Sequence, residues 1–338
     1  MTVVADRDHA TEPARAGLTP VQWHRVGWTA VLAAVAVGIA LPWMISGYQL
    51  SQVAGAFYLA LGVLSMNLVT GLNGQISLGQ SAFVGIGAYS VAILVTDHGW
   101  SYPAAMVAGA VLSAGAGVVV ALPALRLRGL YVALTTFGIG LVFPSLIQKF
   151  SDATGGTAGK TIFPLYVPPD FLGLTTTEWG YFVTLVVLLV CLLFVQLLKS
   201  SNAGRMIQAI RDADLVAEGF GVPLARIKVA TFAASAAIAG LAGGVFAIQR
   251  QFVSPGDLGL DTSINFFVGM AIGGSVSVPG AVVGGLFLQF APQLTRHLGI
   301  APIYTPAIYG ALLIVIIRFA RGGAAGLVRS LIAPLTRR

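Results

Sequence analysis

A chain of 338 residues in which 57% are hydrophobic and only 9% charged cannot clothe a soluble surface, since soluble domains carry about a quarter charged residues. The composition excludes a soluble enzyme and defines an integral membrane protein. The net charge of +7 reads as membrane placement, with no nucleic-acid binding implied.

Residues 1–26 are polar and mixed in charge (Asp6, Arg7, Asp8, Glu12, Arg15, Arg25) and are expected to form a cytoplasmic N-terminal tail. A signal peptide would set its apolar core nearer the start, so no cleavage is expected. Ten apolar segments follow, at Gly27–Ile45, Val53–Val69, Ser81–Thr96, Ala104–Leu122, Leu130–Ile147, Tyr181–Leu198, Val229–Ile248, Ser263–Gly274, Ala281–Leu294 and Ile303–Ile317. Several are shorter than the ~20 residues of a straight span, as discontinuous helices buried among others would be. The 42 glycines fit close helix contact in lipid. Cys191 stands alone in the chain, so it reads as a small packed hydrophobe.

With ten spans and the N-terminus inside, the cytoplasmic side receives 15 Lys and Arg residues and the outer side 4, namely Lys149, Lys160, Arg250 and Arg296. This positive-inside bias puts both termini in the cytoplasm. Two longer outer connections, about Lys149–Gly180 and Gln249–Asp261, carry aromatic and proline residues such as Phe163, Pro164, Tyr166, Phe252 and Pro255. They read either as a partner-receiving face or as solvated loops.

No Asp, Glu, Lys or Arg falls inside any of the ten segments. Intramembrane carboxylates are the usual proton relays of secondary transporters, so proton coupling is disfavoured. Gly155–Thr161 resembles a phosphate-binding loop, but Thr154 stands where the motif requires its first glycine. The chain thus shows no ATP-hydrolysing machinery of its own, and the four histidines have no Cys, Asp or Glu at metal-ligand spacing.

Between the second and third segments lies GLNGQISLGQ (71–80), with three glycines and polar side chains at Asn73, Gln75, Ser77 and Gln80. Irregular backbone at membrane depth survives only where protein or a watery cavity satisfies it. The stretch is either part of a translocation path or gate, or a tight loop packed on its neighbours. Asn67 is either a path residue or interhelical glue. A second glycine-rich break, at 273–280, falls in the other half of the chain. One break per half is what an inverted repeat would give.

Lys199–Lys228 is the longest polar interruption outside the N-terminal tail and holds five of the 19 basic residues. Asn202 is a plausible N-cap for a helix through about Glu218, with Met206, Ile210, Ala213 and Ala217 as its apolar stripe. Gly219, Gly221 and Pro223 end that helix. The pattern is that of a docking element on a membrane protein.

These residues carry a resemblance. The chain resembles the permease subunits of branched-chain amino acid ABC importers, in particular the LivM type, over about residues 50–318. The likeness rests on GLNGQISLGQSAFVGIGAY (71–89), TGG (154–156), GRMIQAIRDADLVAEGFGV (204–222), FAASAAIAGLAGGVFA (232–247) and FVSP (252–255). The family's GGxGSxxGP appears here as GGSVSVPGA, with Val276 for a glycine and Ala281 for the proline. Relatives also serve urea, short amides and other amino acids, so the exact substrate stays open. A secondary transporter or channel remains a further alternative, and a membrane enzyme lacks a cluster of catalytic groups.

The resemblance implies an all-α, type II-like permease bundle, with 27–318 as the membrane domain and 319–338 as a cytoplasmic C-terminal tail. Its partners would be two ATP-binding subunits, a second homologous permease and an extracytoplasmic solute-binding protein, in a bacterial inner membrane. ATP would be bound by the partners, and the chain itself would hold no cofactor. Carried over residue by residue, Gly204, Arg205, Ala209, Ile210, Arg211, Asp212, Glu218 and Gly221 would meet the ATPase.

Overall fold

The structure, a computed structural model, describes residues 35–125, 130–170, 173–297 and 307–311. The two tails, Arg126 and Arg128, residues 27–34 of the first predicted segment and most of the tenth lie outside the described residues. The other eight predicted segments each correspond to a helix. These are α1 (Gly47–Met66), α2 (Gln80–Thr96), α3 (Tyr102–Ala124), α4 (Leu130–Lys149), α5 (Thr176–Ser200), α8 (Leu224–Arg250), α9 (Leu260–Gly273) and α10 (Val278–His297). Between α5 and α8 come α6 (Asn202–Asp212) and α7 (Asp214–Gly219).

Five helices are long and apolar enough to cross a membrane: α1 with its extension to Leu72, α3, α4 from Tyr131, α5 and α8. α2 and α9 are shorter apolar helices. Capping boxes open two of them. The Ser46 hydroxyl accepts from the Gln49 backbone N–H while the Gln49 side chain accepts from the Ser46 N–H, and Thr175 with Glu178 does the same for α5. Each box satisfies first-turn donors that would otherwise be orphaned.

The helices fall into two groups by burial. In the best spanning windows of α1 and α8, 72% and 78% of residues are buried, against 33% in α3, α4 and α5. α1 and α8 are therefore the inner pair. α8 packs most closely on α3 and α2, and α1 packs on α10, α5 and α8. The outer helices turn Val111, Val119, Leu141, Val142, Val190 and Leu197 outward, an apolar face suited to lipid rather than water.

Small residues set the inner contacts. A β-carbon on Gly243 of α8 would lie 1.9 Å from the Val84 carbonyl oxygen of α2, and one on Gly87 would lie 2.0 Å from the Gly240 carbonyl oxygen. Dispersion between closely approaching backbones replaces the hydrophobic drive that is weak between helices in lipid. Ser65, Gln80, Ser81, Ser235 and Ser263 sit wholly buried among α1, α2, α8 and α9. They bond one another: Gln80 Nε2 donates to Ser235 Oγ at 3.1 Å, Ser235 Oγ to the Ser65 carbonyl at 2.7 Å, and Ser263 Oγ to Ser81 Oγ at 2.8 Å.

At one end, β1 (Lys160–Thr161) pairs antiparallel with β2 (Phe252–Val253), joining the two longer connections. Lys160 there bonds Asp97 at 2.7 Å and the Ala153 carbonyl at 2.9 Å. Gly155 and Gly156 turn at φ 78° and 59° beside the buried Thr154. The phosphate-loop likeness is thus a structural turn whose lysine is held in an ion pair.

Gly243→Leu is expected to destabilise the bundle by about 1–3 kcal/mol through overpacking. Gly115→Ala, where no atom lies within 4 Å of the added carbon, is expected to cost no stability and to raise it by up to about 1 kcal/mol, since alanine favours a helix interior over glycine. Thermal unfolding of the detergent-solubilised chain checks both.

Candidate functional site

At the end opposite the β ladder, three irregular stretches meet: 67–79, 274–277 and 199–228. α1 does not stop at Met66 but winds into a π-helical turn, Asn67–Leu72. Thr70 then organises the break, its hydroxyl donating to the Gln75 carbonyl at 3.1 Å and accepting from the Ser77 N–H at 3.3 Å. The Leu78 N–H donates to Thr136 Oγ1 at 3.0 Å. Much of this backbone is satisfied by its own neighbours, as the tight-loop reading requires.

The two glycine-rich breaks touch. Asn67 Nδ2 donates to the Ser277 carbonyl at 3.1 Å, a bond from the end of α1 to the second break. A β-carbon on Gly71 would fall 1.6 Å from the Ser275 carbonyl oxygen, so only glycine permits the approach. The polar segment then grips both breaks. Arg211 Nη1 donates to the Gly71 carbonyl at 3.1 Å, and Lys199 Nζ to the Val276 carbonyl at 2.7 Å. Hydrogen bonds from charged donors are worth about 1.5–3 kcal/mol, roughly twice a neutral one.

The remaining residues expected at a gate divide. Asn73 is buried and its Nδ2 donates to Gln75 Oε1 at 3.1 Å. Both line a cleft of about 990 Å³ that runs between the break and the α6–α8 segment, with Arg211, Glu218 and Arg226 on its far wall. Ser77 is buried, and its hydroxyl and the side-chain oxygens of Asn67 and Asn73 have no partner among the described residues. Gln80 does not belong to this cleft; it is a staple of the buried serine network.

The docking segment departs from its expected form. Ser201, not Asn202, caps α6: its backbone is extended and its hydroxyl accepts from the Gly204 N–H at 3.2 Å. Asn202 instead accepts from Arg205. The helix breaks at Ala213, which is extended at φ −158°, and restarts as α7. The buried stripe is consequently Gly204, Ile207 and Ile210, then Ala217, while Met206 is half-buried and Ala213 exposed. Residues three apart share a helix face, and the break resets the phase.

The structure divides the expected ATPase-contact residues by role. Arg205, Ala209, Asp212 and Glu218 are exposed, and so is Gly221, which turns the chain at φ 81°. Gly204 and Ile210 face inward, and a β-carbon on Gly204 would lie 2.3 Å from the Leu198 carbonyl oxygen. Arg211 reaches inward to Gly71 and lies 3.9 Å from Asp212. Sequence reasoning missed Lys199 as a bridge to Val276, although its place in the last turn of α5 beside the polar segment marks it. It also missed the apolar tip, where Leu215, Val216 and Phe220 are 71%, 57% and 86% exposed.

A helical bundle with lipid-suited outer faces and an appended polar hairpin defines a polytopic membrane protein. The comparisons with known proteins name its family. Residues 48–317 match the family model described as branched-chain amino acid transport system / permease component, and the chain belongs to that family. It is 29% identical over 292 residues to the high-affinity branched-chain amino acid transport system permease proteins LivM of Salmonella typhimurium and Escherichia coli, covering 79% of this chain and 68% of each relative. It is 24% identical over 285 residues to the Escherichia coli permease protein LivH, covering 79% of this chain and 91% of that relative. No solved structure matches.

Loss of the Lys199–Val276 contact in Lys199→Met should loosen the 274–277 break. A cysteine placed at Ser275 is then expected to react about tenfold faster with a water-soluble thiol reagent, the change one charge-assisted bond supports. Native Cys191 is buried and contributes little background.

Proposed function

We propose that this chain is the permease subunit of an ATP-driven importer of branched-chain, or related hydrophobic, amino acids, forming the translocation path with a second homologous permease. In this reading two ATP-binding subunits dock on residues 199–228, and a solute-binding protein delivers cargo to the opposite end. The membrane domain is 27–318 with about ten spans, and the tails 1–26 and 319–338 lie in the cytoplasm of a bacterium. ATP is bound by the partners, and the chain itself catalyses no reaction.

One observation carries the reading. The segment with the exposed apolar tip also bonds, through Lys199 and Arg211, to both glycine-rich breaks. A partner shifts a conformational equilibrium only by its unequal affinity for the two states. Closure of the ATP-binding subunits would displace the hairpin, and the two cation–carbonyl bonds would pass that displacement to 71–79 and 274–277 together. The family membership and the names of the relatives support the cargo class.

An inverted repeat fits the element order. The series of 26, 17 and 23 residues in α1 with its π turn, α2 and α3 is followed later by 27, 14 and 20 in α8, α9 and α10. α1 packs on α10 as α8 packs on α3, and α2 packs on α3 as α9 packs on α10. The pairing sets break 73–79 against 251–259, and turn 97–101 against 274–277. It differs from the simpler expectation that the two glycine-rich breaks are counterparts.

The test is affinity purification of the chain from native membranes in mild detergent. Recovery of an ATP-binding subunit and a second permease is expected, and leucine uptake in proteoliposomes should require ATP. Uptake by the chain alone without ATP, or recovery with a urea- or amide-binding partner, would sink the reading in its present form. Leu215→Asp with Phe220→Asp is expected to cut recovery of the ATP-binding subunit by about 30-fold, as loss of an interface hot spot does. Arg211→Glu with Glu218→Lys should uncouple ATP hydrolysis from uptake while leaving the fold intact. Wild-type transport by that variant would count against the docking role.

A further inference from the structure

The end of the bundle that carries the β ladder holds a cavity of about 510 Å³ between α1, α5, α8, α10 and the connection through Tyr166. That volume lies within the ~300–1,000 Å³ of small-molecule sites. Its walls combine apolar surface from Leu59, Phe246 and Ile248 with carboxamides and phenols, and no acidic residue lines it.

Several of the polar groups are already committed. Gln249 Nε2 donates to the Ala54 carbonyl at 3.1 Å and to Thr184 Oγ1 at 2.7 Å. Gln52 Oε1 accepts from Gln289 and, at 2.7 Å, from Gln293. Arg250 is different. It is the single charged residue among those lining the cavity, and it forms no ion pair with any described residue. Its guanidinium carbon lies 5.8 Å from the centroid of the Phe246 ring, and that ring packs on Tyr58 at 5.1 Å. A cation in the last turn of α8 also benefits from the helix C-terminus, but that alone would leave the side chain free in water. Arg250 is solvent-exposed, and the aromatic contact sets its guanidinium beside the ring at the cavity wall.

We propose that this outer cavity receives the transported solute by its carboxylate, with Arg250 as the group that prefers a carboxylate over a neutral amide. The proposal rests on the amino-acid importer reading above and adds the chemical basis of selection. A guanidinium fork matches the two oxygens of a carboxylate in bidentate geometry. Urea or a short amide brings no charge to it, and the lining carboxamides favour neither class. The apolar wall of Leu59, Phe246 and Ile248 would cover a branched aliphatic side chain. Tyr166, whose phenol burial raises above its ordinary range, also lines the cavity.

The experiment measures binding of radiolabelled leucine to the purified permease assembly, free of solute-binding protein. 3-Methylbutanoate and its neutral isostere 3-methylbutanamide serve as competitors. In the wild type the acid is expected to compete at least about tenfold better than the amide, the preference one charge-assisted contact supports. Arg250→Gln should erase that preference, and Arg250→Lys should retain part of it. Equal competition by acid and amide, preference surviving in Arg250→Gln, or no leucine binding at all would each overturn the proposal. ATP-dependent leucine uptake by the wild-type assembly is read in parallel. Uptake without carboxylate preference overturns this inference alone, whereas absent uptake overturns the importer reading and this one with it.

Discussion

A carbonyl released by a break in a helix has no water to bond at membrane depth, and leaving it bare costs several kcal/mol. This chain breaks its helices repeatedly and meets that cost with side chains from distant parts of the sequence. At the end that carries the polar hairpin Arg211 takes the Gly71 carbonyl, Lys199 that of Val276, and Asn67 that of Ser277. At the other end Tyr102 takes Pro164, and Tyr181 takes Gly38 just before the 3₁₀ turn Leu41–Trp43. The irregular regions are thereby held by a few directional bonds, each removable without dismantling a helix.

The rest of the bundle is comparatively stiff. Glycines and alanines bring the backbones of α2, α3 and α8 into direct contact, and a buried serine–glutamine network fixes α1, α2, α8 and α9 in register. Close-packed interiors do not deform continuously. Motion applied to the 199–228 hairpin would accordingly appear at the breaks it grips rather than spread through the inner helices. Its tip stays apolar and exposed at Leu215, Val216 and Phe220, while its root is bonded to both breaks. One short segment thus presents an exposed apolar tip and two cations bonded to the breaks.

Much of this was legible beforehand. Low charge and long apolar runs located eight helices with boundaries shifted by a few residues at each end, because polar capping residues such as Ser46 and Thr175 extend helices past their apolar stretch. Glycine density marked the two breaks. The polar segment 199–228 was legible as a helical interruption of the apolar chain, but its phase was misjudged. Ser201 and Asn202 are both good caps, and only the extended backbone at Ser201 decides between them. The extended Ala213 carries no local signal, since alanine is the strongest helix former.

Composition, apolar period and charge placement are local quantities, and they suffice to determine that this chain is helical, membrane-embedded and equipped with a polar hairpin. Which carbonyl a cation meets depends instead on how helices far apart in sequence pack. The Asn67–Ser277 and Arg211–Gly71 bonds span 210 and 140 residues, distances over which no periodicity carries information. The same holds for the cavity at the β-ladder end, whose wall combines residues from four helices and both longer connections. The sequence determined the elements and their polarity. Tertiary packing alone decided that the two breaks meet, that Gln80 serves the core, and that Arg250 stands beside a cavity.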